Sequence, residues 1–192
     1  MIIAYKAFKP DLSCTSGGNR FQYKLGIWNE EPEANCVKNG FHCALNPLDC
    51  LSYYSDWDKA VYYIVLVDGD IHEDAYDSRI ACTRMKLLKQ LTLEEFVSES
   101  ITYMINHPHL KNNSRVRIDE GNANVRSKFT IVRGKNPIAK GENGTILGLL
   151  KESAIGKDIV EAGIYKVDGK KILPNEWYSI EGKRVEKVVE SL

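Results

Sequence analysis

The chain is short of the features that announce a reaction or a compartment. Its 192 residues contain no P-loop, no G-x-G-x-x-G, no His-Glu-x-x-His and no Ser–His–Asp order, which removes the phosphate-cradling, dinucleotide-binding and zinc-hydrolase patterns tied to those spacings. Five cysteines (Cys14, Cys36, Cys43, Cys50, Cys82) are an odd number with no Cys-x-x-Cys pair. That argues against a disulfide framework and for free thiols in a reducing cytosol. No run of about eighteen apolar residues occurs, so no membrane span is expected. Residues 1–6 hold no basic leader before a long apolar stretch, so no signal peptide is expected. Net charge is missing as well: 26 Lys+Arg balance 26 Asp+Glu, and no global field draws the chain to nucleic acid or membrane.

What is present is an ordinary globular composition, 43% hydrophobic and 27% charged, in a chain long enough for one medium domain or two small ones. Its charge is unevenly spread. Residues 111–140 carry eight cations (Lys111, Arg115, Arg117, Arg126, Lys128, Arg133, Lys135, Lys140) against Asp119 and Glu120, a local +6, so the rest of the neutral chain sums to −6.

The stretch 40–54 reads as the organising unit. Phe41, Cys43 and Leu45 alternate as on one face of a strand. Asn46 can cap a helix opened by Pro47, with Leu48, Leu51 and Tyr54 on one face. A strand running straight into a helix offers His42 to a cleft. Before this unit, 2–8 and 21–25 alternate and predict an N-terminal β-hairpin with a long, turn-rich, partly basic tip. After it, 60–67 is continuously apolar and predicts a strand covered on both faces, ended by Asp68-Gly69. Residues 78–88 predict another strand with a bulge. Thr92 and Glu95 form a capping box, and Leu93, Phe96, Val97, Ile101, Met104 and Ile105 an apolar helical stripe ended by Pro108.

The texture changes at 112. Residues 114–118 and 125–133 predict a second hairpin turned by 119–122, and closely spaced short strands to 150 suggest stacked rungs of a small β-solenoid or a meander. Two further hairpins are expected around Asp168-Gly169 and Glu181-Gly182. The expected fold is α+β: a mixed or antiparallel sheet with an N-terminal β-hairpin and two principal helices over residues 1–111, then a basic β-hairpin and a mostly β region over 112–192.

Three constellations bear on chemistry. His42, with Tyr5 and Lys6 nearby, suits a proton shuttle beside a cation, the minimum that RNA cleavage needs; it equally suits a histidine packed at a strand end. Cys36, Cys43 and Cys50 lack the tight pairing of a zinc site, so neither metal nor cofactor is expected. The second hairpin would line Arg115, Arg117, Arg126 and Lys128 along one ribbon able to track a phosphate backbone, with Lys6, Lys9, Arg20 and Lys24 of the first hairpin in support. A solvated face would look the same.

The segments Ala4-Tyr5-Lys6-Ala7-Phe8, Phe21-Gln22-Tyr23, Gly40-Phe41-His42-Cys43 and Asn46-Pro47-Leu48-Asp49, with Gly134-Lys135-Asn136 and Lys166-Val167-Asp168-Gly169, resemble a phage and prophage protein family of unassigned function. Many of its members carry a Gly/Ala-rich repeat array before the region of residue 134, shortened here. That resemblance implies an early or accessory protein of a mobile element acting in the bacterial cytoplasm. The chain also resembles anti-CRISPR proteins that act on the guide RNA of the type II RNA-guided nuclease. The function this implies is inhibition of that nuclease–guide RNA complex by inducing guide-RNA cleavage, or without catalysis by blocking assembly. His42, Tyr5 and Lys6 would then be the catalytic candidates, and Lys9, Arg20, Lys24, Arg115, Arg117, Arg126 and Lys128 the RNA contacts. The run 40–71 is also similar to the core of ADP-ribosyltransferases, which implies a nucleotide cleft lined by Tyr5, His42 and Tyr54.

Overall fold

Period-two alternation in the first strand sets the geometry of the N-terminal half. β1 (Ile2–Phe8) turns Ala4, Lys6 and Phe8 to one face, and Ala4 and Phe8 join the apolar core there. The computed structural model describes residues 1–16, 19–36, 38–73 and 77–186. They fall into two units, Met1–Thr92 and Leu93–Leu192. The texture change read at 112 lies inside the second unit, because the helix that precedes it packs with later strands.

In the first unit β2 (Ser13–Ser16) and β3 (Asn19–Gln22) form a small antiparallel ribbon, β4 (Trp28–Glu30) follows, and β5 (Phe41–Ala44), β6 (Val61–Glu73) and β7 (Arg79–Gln90) complete the set. β1 pairs with β6 along its whole length, β6 with β7, β7 with β5, and β5 with β1 at Tyr5↔Ala44. These antiparallel pairings close a four-stranded ring, with β4 added to β7. Its core holds Phe8, Tyr23, Phe41, Tyr63, Val65, Val67, Ile80, Cys82, Met85 and Leu87.

Several expectations are corrected. The N-terminal hairpin does not join 2–8 to 21–25: β1 pairs with β5 and β6, and the hairpin is the local β2–β3 ribbon. Asp68-Gly69 does not end the central strand. Gly69 takes φ +77 as a bulge inside β6, pressed against Thr83, whose hydroxyl accepts from the Asp70 N–H at 3.0 Å. The segment after Asn46 is a 3-10 helix, Pro47–Ser52, although the cap is as read: the Asn46 side chain accepts from Leu48 N at 3.1 Å and Pro47 opens the turn. The described residues thus hold one α-helix and are mostly β.

That helix, α1 (Leu93–Asn106), buries Phe96, Val97, Ser100, Ile101 and Met104 and packs on later strands of its own unit; Ile105 of the expected stripe is exposed. The strands are β8 (Val116–Ala123), β9 (Phe129–Gly141), β10 (Ile146–Glu152), β11 (Ile159–Lys166), β12 (Trp177–Tyr178) and β13 (Arg184–Val185). β8–β9 and β9–β10 are parallel, while β10–β11, β9–β12 and β12–β13 are antiparallel. Parallel neighbours joined by only 124–128 and 142–145 must turn corners within each strand. They do so at Asp119 (φ +60) and at Gly134, where a side chain would strike Asp119. This is a stacked-rung arrangement, not the basic hairpin expected at 119–122. The Asp-Glu-Gly-Asn run bends a strand instead of reversing it.

Arg133 locks these rungs. Only 1% exposed, it gives Nε to Glu152 Oε1 at 2.6 Å, Nη1 to Asn112 Oδ1 at 3.0 Å, and Nη2 to the carbonyls of Pro108 at 2.6 Å and Lys157 at 2.7 Å. No helix among the described residues is long and apolar enough to cross a membrane. Arg133→Met leaves Glu152 without its cation and three acceptors without a donor, so it should cost about 3 kcal/mol or more. A lowered urea midpoint with faster amide exchange in β9 and β10 is the expected result, and an unchanged midpoint contradicts the locking role.

Candidate functional site

The β1–β5 seam is where the ring's ladder is thinnest. β1 matches seven positions of β6 but only one of β5. Beside that seam lies a cavity of about 460 Å³ lined from β1 by Lys6 and Ala7, from β5 by Phe41, His42, Cys43 and Ala44, and from the following turn by Cys50, Tyr53 and Tyr54. Phe21 and Tyr23 form another wall, and Lys38, Arg79, Glu31 and Asp49 also border it. The volume is that of a small-molecule site. Gly40 leads β5 into place: its φ is +80, and a Cβ there would meet the Ala34 backbone at 2.8 Å.

Lys6 bridges the seam. Its position on the inner face of β1 sends an ammonium into the ring, and Nζ donates to the carbonyl of His42 at 2.5 Å. The same nitrogen lies 5.5 Å from the centroid of the Phe8 ring and 5.4 Å from that of Tyr23. Lys6 is 8% exposed and has no carboxylate in ion-pair reach among the described residues. Burial works against its charge, but the Tyr23 phenol, the thiols of Cys14 and Cys43 and the Tyr54 phenol outweigh it, and the ammonium is held above the ordinary lysine range.

The neighbours are protonated at neutral pH. Burial raises Tyr23, with Lys6 pulling the other way. Burial and the adjacent Cys82 raise Cys43, burial brings Cys50 up to about 12, and burial with a hydrogen bond to Cys14 raises Tyr54. The attraction of ionised phenols and thiols therefore acts only at high pH. At pH 7 the ammonium faces a carbonyl, two ring faces and neutral O–H and S–H groups. A charged lysine is not a nucleophile, and these thiols are not thiolates. The arrangement suits electrostatic recognition of an anion.

His42 is half-buried on the cavity wall. Burial, then the charges of Lys6 and Arg79, lower it below its ordinary value, against backbone contacts at Asn35 and Gly40 that favour the cation. It is a neutral imidazole at pH 7, able to take a proton. Tyr5, expected beside it and in a nucleotide cleft, does not line the cavity; alternation puts it on the face of β1 opposite Lys6. Tyr54 does line it.

The proposed RNA contacts are spread out. Arg20 is paired with Asp11 at 2.5 Å, and Lys9 donates to the Thr15 hydroxyl at 3.4 Å. Lys24 is exposed. Arg115 precedes β8, Arg117 lies on β8, Arg126 sits in the turn 124–128, and half-buried Lys128 (φ +64) closes that turn. They do not share one ribbon face, because β8 and β9 are parallel. Sequence reading passed over Arg79 and the aromatic wall. The i, i+2 spacing of Phe21 and Tyr23 was their one signal. No group of three or more His, Cys, Asp or Glu that could hold a metal occurs among the described residues.

Because the folded state opposes protonation of His42, the unfolded chain binds more protons as pH falls through the ordinary histidine value of 6.5. Stability from this group is complete above that value and lost below it. The thermal midpoint should fall between about pH 7.5 and 5.5, and His42→Asn should flatten part of that fall; an equally steep profile in the variant excludes His42 as its source.

Residues 2–99, half of the chain, match the profile of a family described as a domain of unknown function (DUF7666). No curated protein and no solved structure matches the chain.

Proposed function

The chain belongs to the DUF7666 family, and we propose that its first unit is a recognition module for an anionic ligand whose charge meets Lys6 in the ring. The observation that carries this reading is the buried ammonium with one carbonyl acceptor and no counter-charge among the described residues. An ammonium has three N–H donors; one goes to the His42 carbonyl and the Tyr23 hydroxyl takes another, which leaves one for a ligand. A buried charge held this way costs stability, and such costs concentrate where a ligand supplies the missing partner. Lys38 and Arg79, the latter paired with Asp77, border the same cavity with Glu31 and Asp49.

Lys6→Met keeps the length of the side chain and removes the charge. Without ligand, relief of the uncompensated buried charge and the orphaned His42 carbonyl oppose each other, while with inorganic phosphate at millimolar concentration the ligand-dependent rise in thermal midpoint seen in the parent should vanish. A parent midpoint that ignores phosphate and other small anions, or a variant that keeps the rise, overturns the proposal.

A second reading follows from exposed charge. Lys24, Arg117 and Arg126 are exposed and make no ion pair among the described residues. That favours the anti-defence role in which a mobile-element protein in the bacterial cytoplasm engages the guide RNA of a type II RNA-guided nuclease, with His42 as proton shuttle. Incubated with nuclease and labelled guide RNA, the protein should shorten the RNA on a denaturing gel, and reversing those three charges to Glu should stop it. Inhibition with full-length RNA instead assigns a non-catalytic block of assembly; no inhibition at all removes this reading.

A further inference from the structure

We infer that the ligand of this cavity is a nucleoside phosphate, its ring resting on the aromatic wall and its phosphate on Lys6. The inference rests on the anion reading above and deepens it. A bare inorganic anion needs only the ammonium, whereas the cavity is about 460 Å³ and walled on one side by rings. Phe21 is half-buried on that wall and braced edge-on by two buried rings, Tyr23 at 4.7 Å and Phe41 at 4.9 Å between centroids. Tyr23 in turn sits 5.2 Å from Phe41 and 4.9 Å from Phe8. This bracing fixes the plane of Phe21 before any ligand arrives, and a rigid aromatic platform stacks a planar ring at low entropic cost.

The other bordering groups fit the remaining parts of such a molecule. Arg79 gives its Nε to Asp77 Oδ1 at 3.2 Å and lies 5.1 Å over the ring of exposed Tyr53, a cation already oriented on an aromatic face. Lys38 is the cation at the rim that can meet phosphate oxygens beyond the reach of Lys6. Glu31, Asp49 and Asn39 supply acceptors for ribose hydroxyls and base amino groups. Cys14 and the burial-raised thiols of Cys43 and Cys50 line the interior as small side chains. Stacking does not read base identity, so the site takes any base. The same chemistry comes from a free mononucleotide or from the 5′-phosphorylated end of an RNA strand.

Titration of the full chain with inorganic phosphate, adenosine, the four common nucleoside monophosphates and a short 5′-phosphorylated RNA tests this. The monophosphates should bind at least tenfold tighter than phosphate and than adenosine. Phe21→Leu should erase that advantage while leaving phosphate affinity unchanged, and Lys6→Met should abolish both. Should Phe21→Leu fail to fold, saturation-transfer spectra of AMP with the parent chain replace it: base protons must receive more saturation than ribose protons. RNA binding at the strength of the monophosphates, lost in Lys6→Met, identifies a strand end as a source; monophosphates alone identify the free nucleotide. Phosphate binding as tight as AMP, or uniform saturation, overturns the nucleoside phosphate and leaves the anion reading standing. Binding of neither phosphate nor monophosphate fails both.

Discussion

The hydrogen bond from the Lys6 ammonium to the His42 carbonyl is the constraint around which the first unit is arranged. A four-stranded ring has very little interior, and its strands ordinarily close it by backbone ladders on every side. Here β1 meets β5 at one matched position, and a side chain takes over the role of the ladder at the next one. The His42 carbonyl accepts from the ammonium, and the cavity opens beside that contact. Gly40 sets the entry of β5, and the capped 3-10 turn after it carries Cys50 and Tyr54 to the same wall.

Lys6 and Arg133 show two opposite ways of burying a cation. Arg133 reaches one carboxylate, one amide and two carbonyls, so its charge is neutralised and its donors are used. Such a residue holds rungs together and has no capacity left for a ligand. Lys6 is nearly as deep, with one carbonyl, the Tyr23 hydroxyl and ring faces around it and no carboxylate among the described residues. By composition both are merely basic residues in strands. Only the partner set separates a structural cation from one that waits for a partner.

The local signals in the sequence survive where a neighbour a few residues away decides the conformation. Alternation gave β1 its inward face, Asn46 and Pro47 their cap, and Phe96, Val97, Ile101 and Met104 their buried stripe. Glycine-containing polar runs were ambiguous because one backbone preference serves two ends. At Asp68-Gly69 and at 119–122 the positive φ of Gly69 and Asp119 bends a strand that continues, and whether such a run reverses or bends is decided by distant strands: Thr83 of β7 in one case, β9 in the other. The site was half legible. His42 and Lys6 stood out as polar residues in apolar alternation, whereas Arg79 and Phe21 reach the cavity only through contacts distant in sequence, Arg79 by pairing with Ala44 and Phe21 by packing on Phe41. The charge cluster at 111–140 was real in composition, but one of its members, Arg133, is the largest fully buried side chain among the described residues of its unit.

The protonation states around Lys6 limit the chemistry further than geometry alone. A lysine that forms covalent intermediates needs its neutral amine near neutrality, and a nucleophilic cysteine needs its thiolate. Tyr23, Cys43, Cys50 and Tyr54 are each pushed toward their neutral forms by the same burial that would otherwise discharge the lysine. None of them can supply the counter-charge at pH 7, and none competes with an incoming anion for the ammonium. His42 is lowered first by the same burial and then by the charges of Lys6 and Arg79, and is neutral at pH 7. Lys6, which lowers His42 by its charge, is thus the same residue that takes its carbonyl as a backbone acceptor.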